Sequence, residues 1–288
     1  MKAILSYRTL FLFSGFSVII NPELTMFDEI LAAAPAFLLI AVRALAMIET
    51  APLLSSDSIP QVAKIALAGF TAYAAFPSAL VSGWEIPPYG FEFLLLVVGE
   101  GIIGVITGFF LTMIFSTFTT AGQFFSLQMG FGASETFDPL SQVENPLLGQ
   151  FLNLVAMLVF LSVDGFQTLF LGGFLRSVQS INIIRIVEGR ESVVMLFRTG
   201  LSRLFFDALI ISMPILGTLF LISLSTGLIS KAAPQINILS EGFPISIMVA
   251  FIMIFATMPF MVESFSRLIN AGFRSLEDLF RMIGEQIP

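Results

Sequence analysis

The chain has no cysteine and no histidine. A disulfide framework and thiol chemistry are therefore excluded. Histidine-dependent hydrolase triads, metal sites built on His or Cys and histidine proton relays go with them. Charge is scarce: 11% of the 288 residues are Asp, Glu, Lys or Arg, against about 25% in a typical soluble domain. The net charge of −7 excludes a general nucleic-acid binder. No Gly-Lys dipeptide occurs, so there is no P-loop. Gly130-x-Gly132 lacks the third glycine and the βαβ context of a dinucleotide site. Asp164 and Asp207 are formal candidates for an intramembrane aspartyl protease, but the flanking Gly-x-Gly-Asp type of sequence is missing. No catalytic, cofactor or metal site is predicted. Tryptophan occurs once, as Trp84, and tyrosine three times, against 33 Phe. Membrane-interface belts draw on Trp and Tyr. A load of Phe suits helix-to-helix packing as well as lipid.

What is present is apolar sequence. Hydrophobic residues make up 57% of the chain, and mean hydropathy is +0.97. An all-α, polytopic membrane-class protein follows. A spanning helix needs about 20 apolar residues. Candidate runs are Ile30–Ile48, Val62–Val81, Phe91–Phe125, Leu147–Val163, Val193–Ser230 and Ile245–Val262. The run from Val193 is too long for one span and holds Pro214 and Gly217; it is kinked there or split into two helices. Phe166–Val178, with Gly172-Gly173, reads as a re-entrant turn or half-hairpin. Ala232–Pro244 reads as a tight hairpin turn, because Pro234 and Pro244 break the apolar runs. From Glu263 onward, Phe265, Leu268, Ile269, Phe273, Leu276 and Phe280 recur near helical spacing. That predicts an amphipathic C-terminal helix over residues 263–288, on a membrane surface or against a partner.

Between Met129 and Pro146 the chain changes character. Gly130, Gly132, Pro139 and Pro146 break any helix there. Glu135, Asp138 and Glu144 add charge with no basic partner. Non-helical backbone at membrane depth is tolerated only inside protein or around a watery cavity. The local reading is a constriction or gate, with an ordinary inter-helix loop as the alternative.

The run Gln128-Met129-Gly130-Phe131-Gly132, followed by Phe137-Asp138-Pro139, resembles the signature of the FliR family of flagellar type III export-gate subunits. Arg43–Lys64, Phe151–Gly165 and Lys231–Pro244 match the same family in order, so the resemblance covers about residues 26 to 275. It implies an assembly with FliP-like and FliQ-like subunits, contact with an FlhB-type switch protein, and passage of unfolded export substrates through the bacterial inner membrane, with lipid around it. It also implies that the loop from Met129, Gly130, Phe131 and Gly132 through Phe137, Asp138 and Pro139 to Pro146 plugs the passage. The presence of Glu135 and Glu144 departs from common members. Phe137-Asp138-Pro139 stands where the related injectisome subunits commonly carry Asp-Asn-Gln-Arg, which favours the flagellar branch. The homologous injectisome gate subunit and a secondary transporter are the alternatives. A transporter would show broken helices in matched halves, and only Phe166–Val178 is of that kind.

Residues 1–25 precede the resemblance. Lys2 and Arg8 flank the apolar stretch Leu10–Ile20, but no small-x-small cleavage site follows. They are read as a gene-model extension, with Met26 the natural start, or as an extra anchor. Residues 26–262 then form the helical-hairpin export-gate domain.

Ionisable residues in or beside the apolar runs are the remaining candidates. Arg43, Lys64, Glu100, Asp164, Arg203 and Asp207 are candidate buried charges or subunit contacts, read otherwise as structural ion pairs or snorkelling end residues, with subunit contact favoured for Arg43 and Lys64 because they fall in matched family stretches. Arg203 and Asp207, at i and i+4, can pair on one helix. Gly101, Gly104 and Gly108, also at helical spacing, predict a close helix crossing.

Overall fold

The computed structural model describes residues 22–81, 90–130, 147–180, 186, 189–233 and 238–285. Among them there are helices and turns and no strand. The helices are α1 (Pro22–Thr50), α2 (Gln61–Val81), α3 (Phe91–Met129), α4 (Leu147–Ser162), α5 (Gly165–Ser180), α6 (Arg190–Ala232) and α7 (Ile238–Glu285). Among the described residues, three stretches are long and apolar enough to cross a membrane: Phe91–Met129, Arg190–Ala232 and Gly242–Gly284. The chain is an all-α membrane protein.

α3 is the central element. It packs against α1, α4, α6 and α7, and its buried residues, among them Ile103, Phe110, Phe118 and Phe125, do not keep to one narrow face. A helix apolar all round needs cover on every side, and the neighbours supply much of it. Phenylalanine fills the crossing of α3, α4, α5 and α7. Ring centroids lie 4.2 Å apart for Phe118–Phe265, 5.6 Å for Phe115–Phe160, 5.2 Å for Phe160–Phe166 and 6.2 Å for Phe160–Phe273. Each such pair adds about 0.5–1.5 kcal/mol beyond area burial.

Three expectations change in detail. The run from Val193 is not split: α6 continues through Pro214 for 43 residues. Proline removes one backbone hydrogen bond, and a long apolar helix in a bundle tolerates that loss. The re-entrant turn or half-hairpin expected at Phe166–Val178 is helical in its backbone, and α5 is bent 76° from α4. The cause is Asp164, left-handed at φ 54° and ψ 38°, where a right-handed helix cannot continue. Beyond it, Thr168–Leu175 is wound as a π-helix. The Ala232–Pro244 turn is also shorter than its prolines suggest. α7 already begins at Ile238, with Pro244 inside it.

α7 then runs on through Glu263 without a break to Glu285. Phe265, Ile269, Phe273, Leu276, Phe280 and Ile283 are all buried along it. Their steps of three and four place them on one face.

Candidate functional site

The arrangement starts from two glycines. Gly104 and Gly108 bring α3 onto α1. A Cβ at Gly104 would run into the Arg43 carbonyl and come 2.8 Å from the Ala46 Cβ. One at Gly108 would run into the Thr50 hydroxyl and come 2.7 Å from the Met47 carbonyl. Gly101 is looser, with Val42 Cγ1 at 3.8 Å. Close backbone approach is what small residues give a membrane helix pair.

That approach sets a buried polar pin. Arg43 on α1 donates from Nε to Glu100 Oε2 on α3 at 2.5 Å, and from Nη1 to Ser177 Oγ on α5 at 3.2 Å. Arg43 is 0% exposed and Glu100 1%. Ser177 Oγ in turn donates to the Phe174 carbonyl at 2.7 Å. Three helices are tied through one guanidinium, whose planar fork suits several acceptors at once.

A second pin holds the corner between α1 and α2. Lys64 Nζ donates to Glu49 Oε2 at 3.0 Å and to the Ser55 carbonyl at 3.2 Å. Lys64 is buried and the Glu49 side chain is 34% exposed. Leu53, with φ 72°, turns the chain between them.

Arg203 and Asp207 do not form a salt bridge. Arg203 is exposed and Asp207 half-buried. Both line a cleft between α3, α6 and α7 with Phe110, Met113, Leu268 and Gly272. An exposed i, i+4 pair gains about 0.3–0.5 kcal/mol against side-chain entropy, and acid before base is the better order. Asp164 is likewise exposed, at the α4–α5 bend.

Of the predicted gate residues, Met129 and Gly130 fall within the described chain. Met129 is fully buried. Gly130 ends α3 in the left-handed region (φ 91°, ψ 7°), its N–H reaching the carbonyls of Leu127 and Ser126. A Cβ there would run into the Phe243 ring of α7, so the position needs glycine for its backbone and for its space. Phe131, Gly132, Phe137, Asp138, Pro139 and Pro146, with Glu135 and Glu144, lie outside the described residues. On the far side of that segment, α4 crosses α3 closely at its start: a Cβ on Gly122 would come 2.5 Å from Gly149 Cα and 2.7 Å from the Leu148 carbonyl. Gly122 is about two turns before the end of α3. Gly130 and Leu147, the described residues on either side of that segment, therefore lie at the same end of the α3–α4 pair.

Sequence reasoning did not single out Ser177, Glu49, Gly149 or Phe243. Glu49 and Phe243 lie inside matched family stretches and were findable; a lone serine or glycine in an apolar helix carries no signal of its partner.

The family model described as bacterial export proteins, family 1, matches residues 34–272. Similar curated proteins carry the name flagellar biosynthetic protein FliR. That of Bacillus subtilis is 29% identical over 262 residues, 89% of this chain and 99% of the relative. That of Escherichia coli is 31% identical, covering 82% and 89%. That of Borreliella burgdorferi is 34% identical, covering 66% and 71%. The family match spans most of the described helices and the contacts that pin them, and the chain belongs to family 1 of the bacterial export proteins, the FliR family.

Proposed function

We propose that this chain is a structural and gating subunit of the flagellar type III export gate. The coarser part, a membrane component of the flagellar export apparatus, rests on family membership and on three helices of spanning length and apolarity. The finer part is that residues 129–146 plug the passage for unfolded polypeptides and move aside when export begins. The observation that carries it is the mounting of that segment. Its base is fixed by buried Met129 and by Gly130 under Phe243, and its return by the Gly122–Gly149 contact. A segment anchored at one end of a tight helix pair can obstruct a lumen without loosening the pair. Apolar Met and Phe side chains at a constriction keep out water and with it ions.

The long helices support a role in an assembly. α3, α6 and α7 have 39, 43 and 48 residues, or about 58, 64 and 72 Å at 1.5 Å per residue. A hydrocarbon core is about 30 Å thick. Apolar helices that outrun it need protein around their excess. FliP-like and FliQ-like subunits would supply that cover, with an FlhB-type protein as switch, in the inner membrane at the flagellar base. The role is structural rather than enzymatic, and the energy for export comes from other components.

Deleting Gly130–Asp138 tests the plug. Cells carrying the deletion should leak small ions; a tight membrane, with the protein present at its normal level, refutes plugging. Purification in mild detergent tests the assembly, and a lone monomer or homodimer counts against it.

A further inference from the structure

Along the first half of α3, six large apolar residues stand exposed at a fixed spacing: Phe91, Leu95, Val98, Ile102, Val105 and Phe109, each between 43% and 73% exposed. They alternate between steps of four and three. That is the 3.5-residue repeat by which one helix seats on another. From Val98 to Phe109 no other residue of α3 is exposed. The stripe is therefore a seam one helix wide, narrower than the apolar face of an ordinary amphipathic helix.

The seam is the floor of a slot. α1 closes one side, where Val42, Arg43 and Met47 meet Gly101, Gly104 and Gly108. α6 closes the other, where the Phe197 ring lies 5.7 Å from that of Phe109. Val194 and Leu201, one turn to either side of Phe197, are exposed on that wall. Floor and wall together present on the order of 800 Å2 of apolar surface, about what one partner brings to a stable interface. An identical copy would bring the same two walls, and wall would meet wall before floor met floor. A single helix standing clear of its own bundle fits the slot.

Charge at the same height argues against lipid tails as the cover. On α6, Arg198 follows Phe197 directly and Arg190 lies two turns before it, and both are exposed. On α7, Leu276, Phe280 and Ile283 share a core with Ile103 and Phe110 of α3. Arg274, Asp278 and Arg281 stand exposed on those same turns of α7. Charged side chains at hydrocarbon depth are costly and seldom face lipid. The slot thus opens where the surroundings are not hydrocarbon, and a bare apolar seam there needs protein over it.

We propose that the seam from Phe91 to Phe109 seats one helix of another subunit of the export apparatus, packed knobs-into-holes through apolar residues at the same three-and-four spacing. This rests on the reading of the chain as a gate subunit. The test uses the full chain in its native membrane, with a photoreactive benzoylphenylalanine encoded at position 102. Mass spectrometry of the adduct should identify a peptide of a different export subunit with apolar residues at that spacing. Ile102→Asp should lower co-purification of that subunit about tenfold, because it puts a charge under the docked helix, and Ile102→Leu should retain it. If Ile102→Asp does not accumulate, Val98→Ser reads the same contact without a charge. Adducts to lipid alone, to a second copy of this chain or to nothing overturn the proposal, and so does co-purification unchanged by these variants. Those results leave the gate reading standing when the assembly itself still purifies. A chain that purifies with no export subunit at all overturns that reading, and this proposal with it.

Discussion

Arg43 and Glu100 stand 57 residues apart in sequence, and their side chains meet at 2.5 Å with 1% and 2% of their surface exposed. Each lies on a different helix, and Ser177 on a third completes the contact. A buried ion pair is poor evidence of net stability, because desolvation offsets the attraction. It is strong evidence of register. Only one rotation of α1 on α3 brings the guanidinium to the carboxylate, and the same rotation seats Gly104 and Gly108 on the α1 backbone.

Glu100→Ala should therefore destabilise the chain by about 3–5 kcal/mol, since it removes the carboxylate from a charge that stays buried. Replacing both residues, as Arg43→Met with Glu100→Leu, should recover most of the loss. Thermal unfolding in mild detergent reads both. A single variant as stable as wild type would show that the buried guanidinium does not depend on the carboxylate.

Gly108→Ala should cost about 1–3 kcal/mol by overpacking, because the added methyl meets the Thr50 hydroxyl and backbone atoms of Met47 and Ala51. Gly217→Ala should instead stabilise by about 0.5–1 kcal/mol, since nothing lies within 4 Å of its Cβ position. Gly101→Ala, whose Cβ would meet Val42 Cγ1 at an ordinary 3.8 Å, should stabilise in the same way. Opposite signs at Gly108 and Gly217 in one unfolding assay check the assignment of the α1–α3 crossing.

Gly130→Ala combines two penalties, a left-handed backbone worth about 1–2 kcal/mol and overlap with the Phe243 ring. Adding Phe243→Ala should relieve the second and leave the first. The double variant should thus be more stable than the sum of the singles predicts. Strict additivity would mean that the ring does not rest on the glycine.

Glu49→Ala should cost about 1–3 kcal/mol, because it leaves the Lys64 ammonium with the Ser55 carbonyl and no carboxylate in a buried site. Partial exposure of Glu49 places this below the Glu100 effect. Lys64→Met should recover stability when combined with Glu49→Ala. Limited proteolysis in the 51–60 corner is the local readout.

Much of the fold was legible before the structure. Long apolar runs gave the helices from Val62, Phe91, Leu147, Val193 and Ile245, and the steps of three and four from Phe265 to Phe280 gave the buried face of α7. Gly104 and Gly108 announced a crossing, and Arg43, Lys64 and Glu100 announced a need for partners. The bend at Asp164 was not legible as such. A single left-handed Asp, followed by a π-wound turn, leaves no periodic trace, so Phe166–Val178 reads as a re-entrant turn or half-hairpin without a sign that its backbone is helical. Prolines misled in the other direction: of the kink or split read at Pro214 the split does not occur, and Pro244 lies inside α7.

The sequence by itself determined the class, the helices and the family, because hydropathy, glycine spacing and motif order are properties of neighbouring residues along the chain. Only the tertiary structure decided which charges meet. Arg43 finds Glu100 and Ser177, Lys64 finds Glu49, and Arg203 and Asp207 form no salt bridge despite their i, i+4 spacing. The reason is physical. A helix apolar on all sides offers no face that names its neighbour, so the partner is chosen by close backbone approach at Gly104, Gly108, Gly122 and Gly149, and by the cost of leaving a buried charge alone.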